Sequence, residues 1–152
     1  MSTAPLDPRP RLAAGLEPTT VSEAMHPGVL TCTPETTLRD VARMMARYRI
    51  HAVVVYSDEQ EDRVGVWGIV SEADLIAAAA ADEIDTRTAG GTARTPLITV
   101  HPGEPLRRAA ELMHEYHVTH AVVVSSSREL PLGVVSSLDV ARAIALEPGH
   151  PG

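Results

Sequence analysis

The 152-residue chain predicts an α+β fold, a tandem of two β-α-β-β-α repeats packed on each other with pseudo-twofold symmetry. Three observations lead there. Gly68–Leu75 reads GIVSEADL and Gly133–Val140 reads GVVSSLDV, the same phrase 65 positions apart. LTCTPETTLRDVARMMARY from Leu30 lies over ITVHPGEPLRRAAELMHEY from Ile98 at a constant offset of 68, so that Pro34 meets Pro102, Leu38 meets Leu106 and Met45 meets Met113. Each copy spans only about 60 residues, too few to bury a secure core alone, so the two copies are expected to pack strands to strands.

The elements follow in order. Residues 1–18 carry four prolines and no long apolar run, which predicts a disordered lead-in and no secretory signal. Repeat 1 is placed at 19–81, a linker and second lead-in at 82–94, repeat 2 at 95–147 and a disordered tail at 148–152. In each repeat a short extended stretch (Val29–Thr33, Leu97–His101) meets a proline turn. A helix follows, with Leu38, Val41, Ala42 and Met45, or Leu106, Ala109, Ala110 and Met113, at the spacing of one buried face. Pro105 suits the first helical turn, where its missing N–H costs nothing. A β-branched strand starts at HAVVV in both copies (His51 and His120). A polar hairpin loop leads to a second strand (Val64–Val70, Leu132–Val135). The last helix starts at Ser71 or Ser136, with Leu75, Ile76 and Ala79, or Val140 and Ile144, inward. The linker is polar and holds Gly90 and Gly91.

Composition narrows the function classes. Hydrophobic residues are 44% of the chain but aromatics only 3%, so the core is aliphatic. The net charge of −7 opposes nucleic-acid binding, which needs a basic face. All 13 basic residues are Arg. No apolar run approaches the ~20 residues of a membrane helix. Cys32 is the one cysteine, as suits a reducing cytosol. These features predict a cytoplasmic protein without membrane or nucleic-acid partners.

The doubled Ser-x-x-Asp supports two readings. As a capping box, Ser71 accepts from a first-turn N–H and Asp74 reaches back to the cap. As a ligand site, free N–H groups at the helix start favour an anion, and the short carboxylate accepts from vicinal hydroxyls, as acidic residues do for ribose in dinucleotide folds. Asp in both copies, rather than the Glu or Gln usual in a capping box, favours a ligand over self-capping.

The tandem resembles the cystathionine-β-synthase-type (CBS) domain pair, the Bateman module, over about residues 20–147. The likeness rests on MHPGVLTCTP from Met25, the helix with Leu38 and Met45, the HAVVV strands and the two Ser-x-x-Asp phrases. It implies that Ser71 and Asp74, with Ser136 and Asp139, hold a nucleotide, Asp on the ribose hydroxyls. It also implies contacts from His51, Ala52, His120 and Ala121, and an adenine ring against Thr31 and Thr99. In two respects the sequence departs from the family. The usual Pro before the middle strand's Val is missing in both copies. The second copy has Ala93 where the first has Met25, with Gly-Gly just before it, which implies a looser second lead-in.

Competing signals are weaker. His114, His117 and His120 are spaced by three, not at the i, i+4 of a zincin helix, and suit an exposed helix end. The acidic loop Asp58–Asp62 reads as a solvated hairpin. Cys32 has no activating base nearby in sequence. No metal site and no catalysis are expected. The resulting expectation is a stand-alone regulatory module, not an enzyme. It would bind an adenosine-containing ligand (AMP, ADP, ATP or S-adenosylmethionine-like) in the cleft between the repeats, with no required cofactor, as a homodimer read by an unknown effector protein. The alternative is a ligand-free dimerising interaction module whose Ser-x-x-Asp phrases are caps.

Overall fold

The stripe Leu38, Val41, Met45 becomes the buried face of an eleven-residue helix. Thr37 caps it, accepting from the Asp40 N–H at 3.2 Å, and Arg49 ends it in the left-handed region at φ 55°. Leu106, Ala109 and Met113 do the same in the second copy, where His117 takes the left-handed turn at φ 56°. Pro105 stands at the N-cap, one position before the first turn.

A computed structural model describes residues 16, 18–57, 65–93, 97–127 and 130–146. The lead-in before Leu16, the acidic loop and the tail lie outside them. The elements are α1 (Val21–Ala24), β1 (His26–Pro27), β2 (Thr31–Cys32), α2 (Leu38–Tyr48), β3 (Ala52–Ser57), β4 (Gly65–Ser71), α3 (Glu72–Ala80), α4 (Ala89–Thr92), β5 (Thr99–Val100), α5 (Leu106–Glu115), β6 (His120–Val124), β7 (Pro131–Ser136) and α6 (Ser137–Ala145). The fold is thus α+β with two sheets, ordered β2-β3-β4 and β1-β7-β6-β5. β2 runs parallel to β3 and β5 to β6, whereas β3 and β4 form an antiparallel hairpin.

The described residues fall into two compact units, one of 28–97 with 125–132, the other of those up to 27 with 98–124 and those from 133. These units are not the contiguous repeats, because the two lead-ins are exchanged. In one unit the Val21 N–H donates to the Glu104 carbonyl at 2.8 Å and the Ser22 N–H to Pro102 at 2.9 Å. In the other, the Ala89 N–H donates to Thr36 at 2.7 Å and the Gly90 N–H to Pro34 at 2.8 Å. Each first-unit donor lies 68 positions before its counterpart, and each acceptor 68 positions after. The lead-in of each copy therefore docks on the proline turn of the other.

This docking accounts for two glycines. A Cβ on Gly133 would stand 2.4 Å from the His26 carbonyl oxygen, because β1 pairs against β7 there. A Cβ on Gly90 would stand 2.7 Å from Pro34 Cβ. The second lead-in is accordingly a capped turn of helix, with the Thr88 hydroxyl accepting from the Gly91 N–H at 3.2 Å. The second lead-in, expected to be looser than the first, is held by backbone hydrogen bonds of Ala89, Gly90 and Ala93.

The cores are aliphatic. One gathers Leu38, Val41, Val53, Val55, Val70 and Ala89. The other gathers Val21, Val100, Leu106, Ala109, Val123 and Val135. Of the residues expected to face inward on the last helices, Leu75 and Val140 pack against the cores, but the others do not. Ile76 and Ile144 are 68% and 54% exposed, and Ala79 is exposed. Asp74 and Ala78 are buried instead in α3, and Asp139 in α6. The carboxylate folds back into the helix start, and that sets the phase of the rest.

Candidate ligand site

Each unit holds one set of the sequence-predicted site residues, with the Ser-x-x-Asp turn at the start of α3 in one and of α6 in the other. In one, Ala52 pairs with Ser71 across the β3–β4 hairpin, and Thr31 pairs with Val54 two residues further along β3. Ser71 ends β4 and caps α3. The other unit holds Thr99, paired with Val122, and His120 and Ala121 on β6, with Ser136 capping α6.

The aspartates turn inward. The Ser71 N–H donates to Asp74 Oδ2 at 2.8 Å and the Ser71 hydroxyl donates to the same oxygen at 3.1 Å. In the other unit the Ser136 N–H and hydroxyl donate to Asp139 Oδ2 at 2.8 and 3.0 Å. Both aspartates are buried, Asp139 the more deeply. Both carboxylates close their own capping box, so the preference for a ligand over self-capping drawn from the short Asp side chain loses its ground.

The expected open anion site at the helix start is narrower than its sequence suggests. At α6 the N-cap amide bonds Asp139, the Ser137 N–H donates to the Thr119 carbonyl at 2.9 Å, and the Asp139 N–H donates to Ser136 Oγ at 3.3 Å. At α3 the Glu72 N–H likewise donates to the His51 carbonyl at 3.1 Å. Donors already engaged in this way contribute less to a phosphate than free ones.

The histidines leading into the middle strands differ. His51 Nδ1 lies 3.0 Å from Glu72 Oε2 in an exposed pair across the helix start. His120 Nδ1 lies 3.0 Å from Thr119 Oγ1. A third histidine, absent from the sequence reading of the site, belongs to β1. His26 Nδ1 stands 3.0 Å from Asp139 Oδ1 and 3.2 Å from Oδ2. An ionised carboxylate only accepts, so Nδ1 carries the proton in this contact. The two residues are 113 positions apart, and no spacing rule joins them.

A groove of about 370 Å³ lies beside α5 and the start of α6, lined by Met113, His114, His117, Thr119, Ser137 and Val140 among others. Its lining takes in Ser137 and Val140 but neither Ser136 nor Asp139. Among the described residues no group of three or more His, Cys, Asp or Glu is placed to hold a metal ion. Cys32 is buried, and burial pushes its thiol pKa up, against a smaller lowering by Thr36. It is not an activated nucleophile.

With this geometry in view, the family comparison is decisive. The CBS domain family model matches residues 21–81 and 90–146. The chain belongs to the CBS domain family. This CBS pair is 30% identical to a CBS domain protein from Pyrobaculum aerophilum complexed with AMP, with a TM-score of 0.71, covering 85% of this chain and 97% of that one. It is 27% identical to Hypoxic Response Protein I with two coordinated zinc ions, with a TM-score of 0.64 over 82% of this chain and 98% of that one. Among curated proteins it is 28% identical to the mitochondrial CBS domain-containing protein CBSX3 of Arabidopsis thaliana, over 88% of this chain and 68% of that protein. No described helix is long and apolar enough to cross a membrane.

Proposed function

We propose that the chain is a regulatory module that binds an adenosine-containing ligand through its Ser-x-x-Asp turns. CBS domain pairs are typically regulatory rather than catalytic. The observation that carries this reading is the repetition of one arrangement in both units: a buried aspartate under a serine, next to the start of a β-branched strand. The relative at 30% identity complexed with AMP supports it. Asp74 and Asp139 would accept from ribose hydroxyls. Ser71 and Ser136 would turn their hydroxyls between carboxylate and ligand. His51, Ala52, His120 and Ala121 would border the sugar and phosphate, and Thr31 and Thr99 the base. Binding would shift a conformational or assembly equilibrium read by an effector protein. On this reading the protein is a cytoplasmic homodimer, needs no cofactor and is not an enzyme.

A thermal-unfolding series with AMP, ADP, ATP and S-adenosylmethionine, against guanine nucleotides, tests it. A ligand at ~100 times its Kd adds about 2.7 kcal/mol. The expected result is a rise in Tm with an adenosine ligand that Asp74→Ala or Asp139→Ala diminishes.

One observation favours the second reading, a ligand-free dimerising module. Both Ser-x-x-Asp turns are already closed as caps, while Leu138 and Ile144 on α6 and Ile76 on α3 are exposed. On that reading no ligand raises Tm, Ser136→Ala costs about 0.5–2 kcal/mol, and sedimentation shows a dimer.

A further inference from the structure

The contact between His26 and Asp139 has no role in either reading, and its asymmetry is informative. The Asp139 side chain is 2% exposed, while the imidazole above it is 62% exposed. Oδ2 already accepts from the Ser136 N–H and hydroxyl. His26 Nδ1 lies across both oxygens, 3.0 Å from Oδ1 and 3.2 Å from Oδ2, and Arg142 Nη1 stands further off from Oδ1 at 3.8 Å. The oxygen left to receive a ligand hydroxyl, Oδ1, is therefore also covered by the imidazole. A hydroxyl can reach it only by displacing or sharing the His26 contact. His26 is held in place by its backbone, since β1 pairs His26 with Val134 and Pro27 with Gly133. The imidazole itself lies mostly in solvent.

We infer that His26 is a positioning residue that gates the second site, its imidazole competing with ligand hydroxyls for the Asp139 carboxylate. This rests on the ligand reading above. The position 68 residues on is Arg94, so the other copy carries no histidine at that position. A net hydrogen-bond contribution of about 0.5–1 kcal/mol corresponds to a change of about two- to fivefold in affinity.

The test uses calorimetric titration of the full chain with AMP. Asp74→Ala serves as the background, so that the second half alone is read. Adding His26→Ala is expected to tighten AMP binding by about two- to fivefold. His26→Gln, which keeps a donor near the carboxylate, is expected to restore most of the original affinity. In an Asp139→Ala background, His26→Ala should change nothing, a result that a merely structural role for His26 would not give. Equal or weaker binding by His26→Ala overturns the gate and leaves the ligand reading standing. AMP binding by the wild type that Asp74→Ala abolishes, with or without His26→Ala, also overturns the gate, because the second half would then hold no ligand. AMP binding by none of these proteins overturns the ligand reading and the gate together.

Discussion

The two Ser-x-x-Asp turns are near copies in backbone and bonding, yet their surroundings differ. Near Ser71, His51 is engaged with Glu72 in an exposed pair. Around Ser136 the histidine in contact is His26, supplied by the exchanged lead-in, and it sits on the buried carboxylate itself. Repetition has conserved the cap and varied what approaches it. The two turns of this CBS pair are thus alike as caps and differ in the histidines described around them.

The largest test of that likeness is in the cores. Leu38 and Leu106 are fully buried at matching positions. Truncating either to Ala is expected to cost about 2–5 kcal/mol. Chemical denaturation should give the two variants losses of similar size. A loss for one well outside that range would break the equivalence of the two units. A smaller effect probes the lead-in. Gly133→Ala puts a Cβ against the His26 carbonyl and is expected to cost about 1–3 kcal/mol, the scale of an overpacked site. Unchanged stability would mean that β1 does not hold β7 as closely as described.

The smallest effect distinguishes how α2 and α5 are tied. Arg39 Nη2 donates to Asp85 Oδ2 at 2.8 Å, linking α2 to the segment before α4. The matching Arg107 donates to Glu111 one turn along its own helix at 3.3 Å. The hydrogen bond from Arg39 holds the Asp85 carboxyl below its usual pKa. A depressed carboxylate stabilises above its ordinary range, and that stabilisation is lost as the pH falls through the lowered value. Asp85→Asn is therefore expected to lower Tm slightly at neutral pH and not at all in acid. Both side chains are exposed, which keeps the effect small.

Much of the fold was legible because its signals are local. The stripes of α2 and α5 have strong apolar contrast at helical spacing, and HAVVV is β-branched with turn residues beyond it. The Ser and Asp pairs were legible because a helix start brings i and i+3 together. The inward face of α3 was not. EADLIAAAA has too little polar contrast to fix a phase, so the folded-back Asp74 decides it. The exchange of lead-ins was not legible either, because a docking between distant segments leaves no period in the chain. His26 was missed for the same reason: the lead-in was assigned to its own repeat.

That exchange bears on the order of synthesis. The second lead-in emerges after the turn it docks on, since Pro34 and Thr36 precede Ala89 and Gly90. Its seat is waiting. The first lead-in emerges well before its own. The Val21 and Ser22 N–H groups cannot make their docking bonds until Pro102 and Glu104 are made, and His26 meets Asp139 only 113 residues later. At about 5–20 residues per second, that wait is on the order of ten seconds. One unit can seat its lead-in as soon as Gly90 is made; the other cannot dock its first-made segment until Pro102 and Glu104 have followed.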